Sequence, residues 1–515
     1  MAEERKSAAE QARALRGAYR KAHAPKMSYQ RHGASWRLNS LRGWLTALGD
    51  ANTDIDSNAS TLRERSRDLI SGGGLARSGP KTLTTNVVGW GIQPKPKIDG
   101  EYLGLSDEAR EAWERHTLRE WNLWAKNQMC DAARQQNFYQ MQELAFFSAL
   151  ASGDAFVAFG MKENKRTPYR LVIRILEADR IGTPMSAGSS LIQATADGMI
   201  IDGIEIDREG AVKKYWVANR SPLAEANPLT LEYIAVDAFG SETDMPNMLH
   251  IVNYERPEQR RGVPFVAPSI EVLKQFDRYI NSELAGNLMR SMLALFITSE
   301  EDTPKFPMDE AIDPEERISD DDDMQFELAP GIIQKLPAGM KVQTVDPTGS
   351  NTAFQSFVET LEQLTGSAME IPKEVLTKKY ESNYTAARSS KLDFWQVVRV
   401  YRSHFNDMFN QPIYEAWLSE AVATGRIDAP GFFDDPLMRQ AWCGCMWIGA
   451  SMGHIDPMKE ANAAEKRVQL NMTTEEQEAM EYNGNDWSEN VIQRRREMAE
   501  RRDMDGGTQE GETTT

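Results

Sequence analysis

Residues 247–297, NMLHIVNYERPEQRRGVPFVAPSIEVLKQFDRYINSELAGNLMRSMLALFI, contain the change of pattern that decides the fold. A β-rich pattern ends near residue 255, and a segment rich in proline and glycine follows at 256–268. Ser269 is then a good helix N-cap, and the apolar side chains after it recur at helical spacing. The pattern predicts a helix of about 25 residues with a length of roughly 35–40 Å.

Two long helices, each apolar on one face, are predicted on either side of an acidic segment. The first covers 269–294 and the second covers 351–369. The segment between them, 295–350, contains a run at 299–323 with twelve acidic and two basic side chains, followed by two short predicted strands. The apolar faces of the two helices, available for packing within the chain or against another copy, carry Leu273, Phe276, Ile280, Leu284, Leu288, Phe354, Phe357 and Leu361.

Upstream of this stretch the chain divides into three parts. Residues 1–34 are basic and are compatible with either an amphipathic helix or a disordered arm. Residues 58–151 show helical patterns, with Ser106 as the N-cap of one helix. Residues 154–255 alternate short β-patterns with Gly, Asp and Pro, which predicts antiparallel hairpins.

Downstream of the second long helix, the sequence predicts more helix. Residues 372–386 form a polar connector with lysines and tyrosines, and a long helix with a following helix is predicted over 387–430, with Pro412 as a kink or an end. Residues 431–502 are predicted to be helical. The tail at 503–515 is almost free of apolar residues and is predicted to be disordered.

Composition limits the class of protein. The chain has 515 residues, of which 41% are hydrophobic and 26% charged, as expected for a globular protein of several folding units. No apolar run approaches the ~18 residues of a membrane span, and the N-terminus lacks the apolar core of a secretory signal. Three cysteines cannot build a disulfide framework, which favours a reducing compartment. A net charge of −18 argues against tight DNA binding over most of the surface.

A phosphate-binding loop is suggested by Gly74–Thr82 but does not fit. Pro80 supplies no N–H where the phosphate cradle needs a donor, Lys81 comes one position late, and no buried strand precedes the segment. A glycine loop that terminates the preceding helix explains these residues better. The resemblance of Gly89–Pro94 to a dinucleotide fingerprint lacks the third glycine, so a turn is predicted there.

Metal sites and catalytic sets are also not predicted. The run Asp320, Asp321, Asp322 and Asp323 lacks the glycine and glutamate spacing of a calcium loop, so an exposed acidic surface is expected. Cys443, Cys445 and His454 offer at most three of the four ligands that structural zinc needs, so buried thiols are expected. The sequence contains no HExxH and no nucleophile-elbow serine. We therefore predict a protein that is not an enzyme and has no cofactor.

Five collinear segments resemble the portal proteins of lambda-type bacteriophages. Besides 247–297 they are RERSRDLISGGGLARSGPKTLTTNVVGWGIQPKP at 63–96, APGIIQKLPAGMKVQTVDPTGSNTAFQSFVETLEQLTGSAMEIPKEVL at 329–376, SNYTAARSSKLDFW at 382–395, and HIDPMKEANAAEKRVQLNMTTEEQEA at 454–479. Each segment alone is weakly specific, but their shared order over roughly 35–500 is specific. The resemblance implies an α+β, mainly helical portal fold that assembles into a ring.

Family membership would give each predicted segment a place in that fold. Residues 35–268 would be the wing with its β-rich portion, 269–294 and 351–369 the stem helices, and 295–350 the clip, a small α/β unit. Residues 372–386 would be the tunnel loop, 387–430 the long wing helix with its successor, and 431–502 the crown side. The tunnel-loop residues expected to meet DNA are Lys378, Lys379, Tyr380, Asn383 and Tyr384, and Asp320–Asp323 would dock partners.

The resemblance also implies a function and partners. Such a protein forms a dodecameric ring, the head–tail connector, at one capsid vertex of the virion, and double-stranded DNA is packaged and ejected through it. Its partners would be its own copies, the terminase large subunit, head–tail connector or adaptor proteins, and the major capsid and scaffold proteins, with assembly in the host cytoplasm and no membrane association. An acidic channel with sparse positive rings would keep the DNA mobile.

Other interpretations remain open from the sequence. One is another ring- or shell-forming phage structural protein, such as a minor capsid component. A second is a metal-dependent DNA-processing enzyme that uses Asp320–Asp323. The terminase motor itself is disfavoured because no intact phosphate loop exists, and the connector 372–386 could instead be an outward, solvated loop.

Overall fold

The computed structural model describes residue 39 and residues 49–184, 192–221, 231–292, 296–297, 334–335, 354–380, 384–452, 457–483 and 487–509. The chain consists of two units, Met1–Asp50 and Ala51–Thr515. The first unit contains the predicted N-terminal arm 1–34, which lies outside the described residues, and everything below concerns the second. Most of the predicted clip, including Asp320–Asp323, also lies outside them, as does Asn383.

The helical N-terminal part begins with α1 (Ala51–Gly72) and α2 (Gly74–Val87). Between them Gly73 has a φ of 88°, a conformation that glycine adopts without strain. The interruption at the predicted glycine loop is confined to Gly73, and helix resumes at Gly74, within the helical region predicted for 58–151. Pro80 lies inside α2, and the hydroxyl of Thr84 donates to its carbonyl oxygen at 2.8 Å. A proline inside a helix removes one backbone donor and crowds the carbonyl four residues earlier, so α2 forms despite this residue.

One strand and two helices follow α2 along the chain. Strand β1 (Gln93–Pro96) occupies part of the segment expected to be a turn. Helix α3 (Asp107–Ala125) is capped by Ser106, whose side chain accepts from the Ala109 N–H at 3.2 Å, which confirms that cap. Helix α4 (Phe138–Ser152) begins with a reciprocal capping box between Asn137 and Gln140.

The β-rich part forms two antiparallel sheets. In the first, β2 (Asp154–Met161) lies between β3 (Leu171–Glu177) and β9 (Met248–Val252). The second is a meander in which each strand pairs with the next along the chain. Its strands are β4 (Ile192–Ala194), β5 (Gly198–Ile201), β6 (Ile204–Asp207), β7 (Val212–Ala218) and β8 (Tyr233–Asp237).

The two long helices are α5 (Ile270–Met292) and α6 (Phe354–Ala368), close to their predicted bounds. Ser269 does not cap α5, contrary to the prediction. It ends a 3-10 turn at Ala267–Ser269 that continues directly into the helix, and its buried hydroxyl has no hydrogen-bond partner in the described part of the chain. Within the predicted clip, the described residues form β10 (Phe296–Ile297) and β11 (Gln334–Lys335), which pair in parallel.

A short helix α7 (Lys373–Thr377) precedes the long helix α8 (Tyr384–Phe405). A π-helical turn at Asn406–Asn410 then leads into α9 (Gln411–Ala423), which carries Pro412 in its first turn. The long helix therefore ends in a π-helical turn before Pro412. The proline lies in the first turn of the next helix, where its missing N–H is tolerated.

The C-terminal part is not wholly helical, contrary to the prediction for 431–502. After α10 (Pro436–Trp442), strand β12 (Cys445–Ile448) pairs antiparallel with β1. The remaining helices are α11 (Pro457–Gln469), α12 (Glu475–Asn483) and α13 (Trp487–Gln509). Helix α13 thus includes 503–509, predicted to be disordered, because extending an existing helix costs far less than nucleating one.

An aromatic core joins α3, α4 and α9. Trp121, fully buried, has its ring centroid 5.0 Å from those of Trp124 and Phe138 and 5.1 Å from that of Trp417. Cys443, packed at the edge of this core, is also buried, and burial raises the pKa of its thiol to about 12. The cysteine is therefore a core residue, as the sequence predicts, and unreactive.

A buried ionic cluster joins α1, both sheets and the loop before α5. The Arg261 guanidinium is completely buried and donates to Asp154 at 2.7 Å and to Asp202 at 2.8 Å. Arg63 of α1 lies 3.6 Å from Asp202 and 3.8 Å from Asp154. Asp56, also buried, has no hydrogen-bond partner for either carboxylate oxygen among the described residues. The cluster therefore connects α1 and the loop before α5 to the two sheets.

Candidate functional site

Tyr279 of α5 packs against two phenylalanines of α6. The ring centroid of Tyr279 lies 5.5 Å from that of Phe354 and 4.8 Å from that of Phe357. Pro268, just before α5, and Ala368, the last residue of α6, line the same cavity. The two helices are therefore antiparallel. The sequence pattern missed Tyr279 because it lies one position away from the apolar stripe of α5.

The predicted packing residues divide into an inner and an outer set. Leu273 is 3% exposed, and Phe276, Phe354 and Leu361 are half-buried within the chain. The outer set is exposed, and Leu364 of α6, which the prediction omitted, belongs with it. A row of exposed apolar side chains on two adjacent helices is typical of a surface that another protein covers. The outer set consists of Ile280, Leu284, Leu288, Phe357 and Leu364.

The chain turns sharply where α6 ends. Gly366 is buried, and a Cβ atom at this position would lie 2.6 Å from the carbonyl oxygen of Ile371. Glu370 has a φ of 55°, and the Ile371 N–H donates to the Gly366 carbonyl at 2.9 Å. Met369 and Ile371 are each 1% exposed. The turn is therefore anchored in the core immediately before the predicted tunnel loop.

Helix α7 occupies the first part of the predicted tunnel loop, which is thus shorter than 372–386. Val375 and Leu376 are buried, and the Ser78 hydroxyl of α2 donates to the Leu376 carbonyl at 2.6 Å. Lys378 ends the helix in the left-handed conformation, with φ 58° and ψ 25°. The left-handed residue at a helix end is usually glycine, so a lysine in this conformation is strained.

The exposed part of the segment carries three of the five predicted residues. Lys378, Lys379 and Tyr380 are consecutive and exposed, and Nζ of Lys391 lies 5.2 Å from the Tyr380 ring centroid. Tyr384 is the first residue of α8 and lies on a helix instead of a loop. The helix begins three residues before the predicted start at 387 because Thr385, Ala386 and Ala387 offer no break.

Electrostatic contacts tie this segment to α6. Nζ of Lys373 lies 3.8 Å from a Glu359 carboxylate oxygen. A hydrogen bond from Gln355, followed in importance by the charge of Lys373, lowers the pKa of Glu359. The carboxylate therefore stays ionised and neutralises part of the positive charge at the base of the segment.

Helix α8 is fixed at its far end through Arg402. The guanidinium donates to the carbonyl oxygens of Asn86 at 2.7 Å, Val87 at 2.9 Å and Ala450 at 2.8 Å. Burial lowers the pKa of Arg402 to about 10, and the side chain remains charged at neutral pH. The exposed segment 378–380 thus lies between α7, packed on α2, and α8, which binds the end of α2.

Within the described ranges, no group of three or more His, Cys, Asp or Glu side chains could hold a metal ion. No helix in the same residues is long and apolar enough to cross a membrane. The acidic residues Asp320–Asp323 lie outside these ranges, so their arrangement stays a prediction.

Comparison with known families identifies the chain's relatives. The family model described as "Phage portal protein, lambda family" matches residues 37–402. The chain belongs to this family. It is a portal, or connector, protein and a component of the virion, and portal proteins are structural proteins. The resemblance noted from the five sequence segments is confirmed, as is the mixed helix-and-sheet fold class.

Curated relatives carry the same name at low identity. The portal protein of Escherichia phage N15 is 24% identical over 90% of this chain and 88% of its own length. Portal protein B of Escherichia phage lambda is 23% identical over 91% of this chain and 89% of its own length. A probable portal protein of Halomonas phage phiHAP-1 is 22% identical over 87% of this chain and 82% of its own.

Solved structures that resemble this portal protein come from gene transfer agent particles. The neck of an empty particle, computed with C6 symmetry, gives a TM-score of 0.41 at 12% identity and covers 75% of this chain and 93% of that chain. The neck of a native particle, computed with C12 symmetry, gives 0.36 at 11% identity with the same coverage. These likenesses are loose, and the assignment rests on the family match.

Proposed function

We propose that twelve copies of this portal protein form a ring at a single capsid vertex, through which double-stranded DNA is packaged and ejected. The exposed apolar residues of α5 and α6 contact the next copy in the ring, since their opposite faces are used within the hairpin. Closed rings need such surfaces on every subunit. Native mass measurement tests the stoichiometry: twelve copies of the 58.1 kDa chain give about 0.7 MDa.

The segment around Lys378, Lys379 and Tyr380 lines the channel and contacts DNA phosphates without recognising bases. The observation that carries this proposal is that these exposed side chains lie on a short turn held between two firmly anchored helices. Lysine donors suit the phosphate backbone, whereas sequence readout requires contacts to base edges. Asn383 and Tyr384 are proposed to face the channel with them.

The acidic segment 295–350 docks partner proteins. Its excess of carboxylates at 299–323 suits partners with basic surfaces, and it joins the two long helices at the end remote from Lys378. We assign the terminase large subunit and then the head–tail connector proteins to this surface, with Asp320–Asp323 as contacts. Capsid and scaffold proteins contact the ring during assembly in the host cytoplasm. The portal protein itself uses no cofactor and catalyses no reaction, so a partner hydrolyses ATP.

Charge reversal tests the channel segment. The double variant Lys378→Glu/Lys379→Glu is expected to assemble into normal rings but to reduce the DNase-protected DNA in assembled heads by at least tenfold. The matched control is Lys162→Glu/Lys165→Glu, which reverses two exposed lysines in the loop after β2 and changes the net charge equally. Rings that fail to form only in the first variant would show that segment 378–380 serves packing. Equal packaging by both variants would also overturn the proposal.

A further inference from the structure

A groove runs along the exposed face of α2 beside the channel segment. It has a volume of about 350 Å³ and is closed on one side by Lys378. Arg77, Lys81 and Thr85 lie along its floor at successive turns of α2, at a spacing of about 6 Å. The groove is distinct from the exposed turn itself because its floor belongs to a helix some 300 residues earlier in the chain.

The lining of the groove is cationic and polar. Arg77, Lys81 and Lys378 contribute three positive charges, Ser78 and Asn86 contribute polar groups, and none of the lining residues in the described ranges is acidic. Lys81 pairs with Glu143 of α4, with both side chains about half exposed. Neither Arg77 nor Lys378 forms an ion pair with a described residue, and both side chains are exposed. Their charges are therefore available to an anionic ligand.

Packing of α2 against the end of α6 and against α7 fixes the backbone that carries these cations. Gly79 lies so close to Met369 that a Cβ atom there would be 2.7 Å from the methionine sulfur. The Ser78 hydroxyl donates to Leu376, two residues before Lys378. Helix α2 and the start of the channel segment thus form one packed body, and the groove between them is already formed without a ligand.

We propose that this groove binds consecutive phosphates of duplex DNA, extending the phosphate contacts of Lys378 onto α2. The proposal rests on the channel role given above. Arg77 and Lys81 lie one turn apart on α2 with Lys378 beside them, and such an extended set of cations suits successive phosphates of a polyanion better than a single small anion. Because Lys378 belongs to both the groove and the channel segment, a DNA strand that touches one lies next to the other. Arg77 and Lys81 are then the contacts that guide the strand past the turn.

The rival occupant is an acidic segment of a neighbouring copy, such as 299–323. That segment follows α5, which is 23 residues or about 35 Å long and leads away from the base of the hairpin. The groove lies at that base, next to the end of α6. We assign the groove to DNA because its cations adjoin the channel segment, and loss of ring assembly on changing Arg77 and Lys81 would instead indicate the acidic segment.

The test measures DNA binding by assembled rings of the full-length chain. A short fluorescent DNA duplex is titrated with wild-type rings, and with Arg77→Gln/Lys81→Gln rings, at several salt concentrations. Each phosphate contact contributes about 0.9 to the slope of log affinity against log salt. The double variant is expected to bind at least tenfold more weakly and to lower that slope by about one or more. The control variant Arg119→Gln, which removes an exposed arginine of α3, is expected to match wild type.

A second pair of variants separates this inference from the proposed channel role. Lys378→Asn/Lys379→Gln removes the charges of the channel segment, and asparagine tolerates the left-handed conformation at position 378. If these rings lose affinity while Arg77→Gln/Lys81→Gln rings bind like wild type, the channel role stands and the groove assignment is wrong. If neither pair changes binding, both are wrong. If Arg77→Gln/Lys81→Gln rings dissociate in native mass spectra, the groove contacts a neighbouring copy and the inference is overturned.

Discussion

Nε of Arg261 lies 2.7 Å from Oδ2 of Asp154, and both side chains are completely buried. The same guanidinium donates to the carbonyl oxygens of Ala178, Ile181 and Asp202 at 2.7–3.0 Å, so its donors are used in full. This one side chain therefore links the loop before α5 to β2 and to the turn that precedes the second sheet.

Removing the Arg261 charge should destabilise the fold strongly. In Arg261→Met the carboxylate of Asp154 loses its closest partner in a buried site, which costs about 3–5 kcal/mol. Although burial opposes it, the charges of Arg261 and Arg63 hold the pKa of Asp154 well below its usual range. We expect a clearly lower Tm by scanning calorimetry, and a smaller loss for Arg261→Lys, which keeps a charge. The exposed Arg119→Met serves as the control, and equal Tm values for the two methionine variants would contradict this account.

Asp56 should make stability depend on pH. Burial and, next, the charge of Asp202 raise the pKa of Asp56 from 3.8 to about 7. Between about pH 4 and 7 the folded state therefore binds a proton at Asp56 that the unfolded state releases, so this carboxyl lowers stability as pH rises through that window.

The variant Asp56→Asn isolates this effect, since His250 and Asp154 remain in both proteins. The Tm of Asp56→Asn minus that of wild type is expected to increase from pH 5 to pH 8. Calorimetry in buffers of equal ionic strength measures the difference. A difference that stays constant over this range would mean that Asp56 does not titrate there.

Gly262 should tolerate no side chain. A Cβ atom at this position would lie 1.9 Å from the carbonyl oxygen of Gly153, a backbone atom that cannot move aside. Gly262→Ala is expected to prevent soluble expression or to lower the Tm by many degrees. The control is Gly72→Ala at the end of α1, where a Cβ atom meets nothing within 4 Å. A stable, soluble Gly262→Ala protein would refute the close approach of the two chain segments.

Substitutions of exposed leucines of α5 should affect assembly, whereas substitution of its buried leucine should affect stability. Leu284→Gln/Leu288→Gln changes residues that are 66% and 54% exposed, so the fold of the single chain should be unaffected while ring formation is lost. Leu273→Ala opens a cavity at a residue that is 3% exposed and should cost about 2–5 kcal/mol of stability. Circular dichroism and native mass spectrometry distinguish the outcomes. Intact rings formed by Leu284→Gln/Leu288→Gln would show that these residues of α5 do not lie in the subunit interface.

The sequence was sufficient for features that depend on local pattern. The bounds of α5 and α6 follow from their apolar stripes, the cap of α3 from Ser106, and the two sheets from alternating strands between turn residues. Each of these features depends on residues that are close together in the sequence, so the amino-acid sequence alone is enough to predict it.

Features that join distant parts of the chain could not be predicted in this way. Arg261 appears in the sequence as one of three arginines in a polar loop, and only the folded chain shows that it is the buried one. The groove on α2 likewise needs Lys378, some 300 residues away from Arg77. In the predicted tunnel loop, Lys378, Lys379 and Tyr380 are exposed as the sequence indicated, but α7 forms there because Val375 and Leu376 pack in the core.

The pairing of β1 with β12 cannot form until the second strand has been synthesised. Gln93 pairs with Ile448 and Pro96 with Cys445, so about 350 residues separate the two strands in the chain. At about 5–20 residues per second, a ribosome needs roughly 20–70 s to make the second strand after the first has emerged. During that time β1 lacks its partner strand. A newly made subunit therefore completes this part of its fold only after residue 448 has been synthesised.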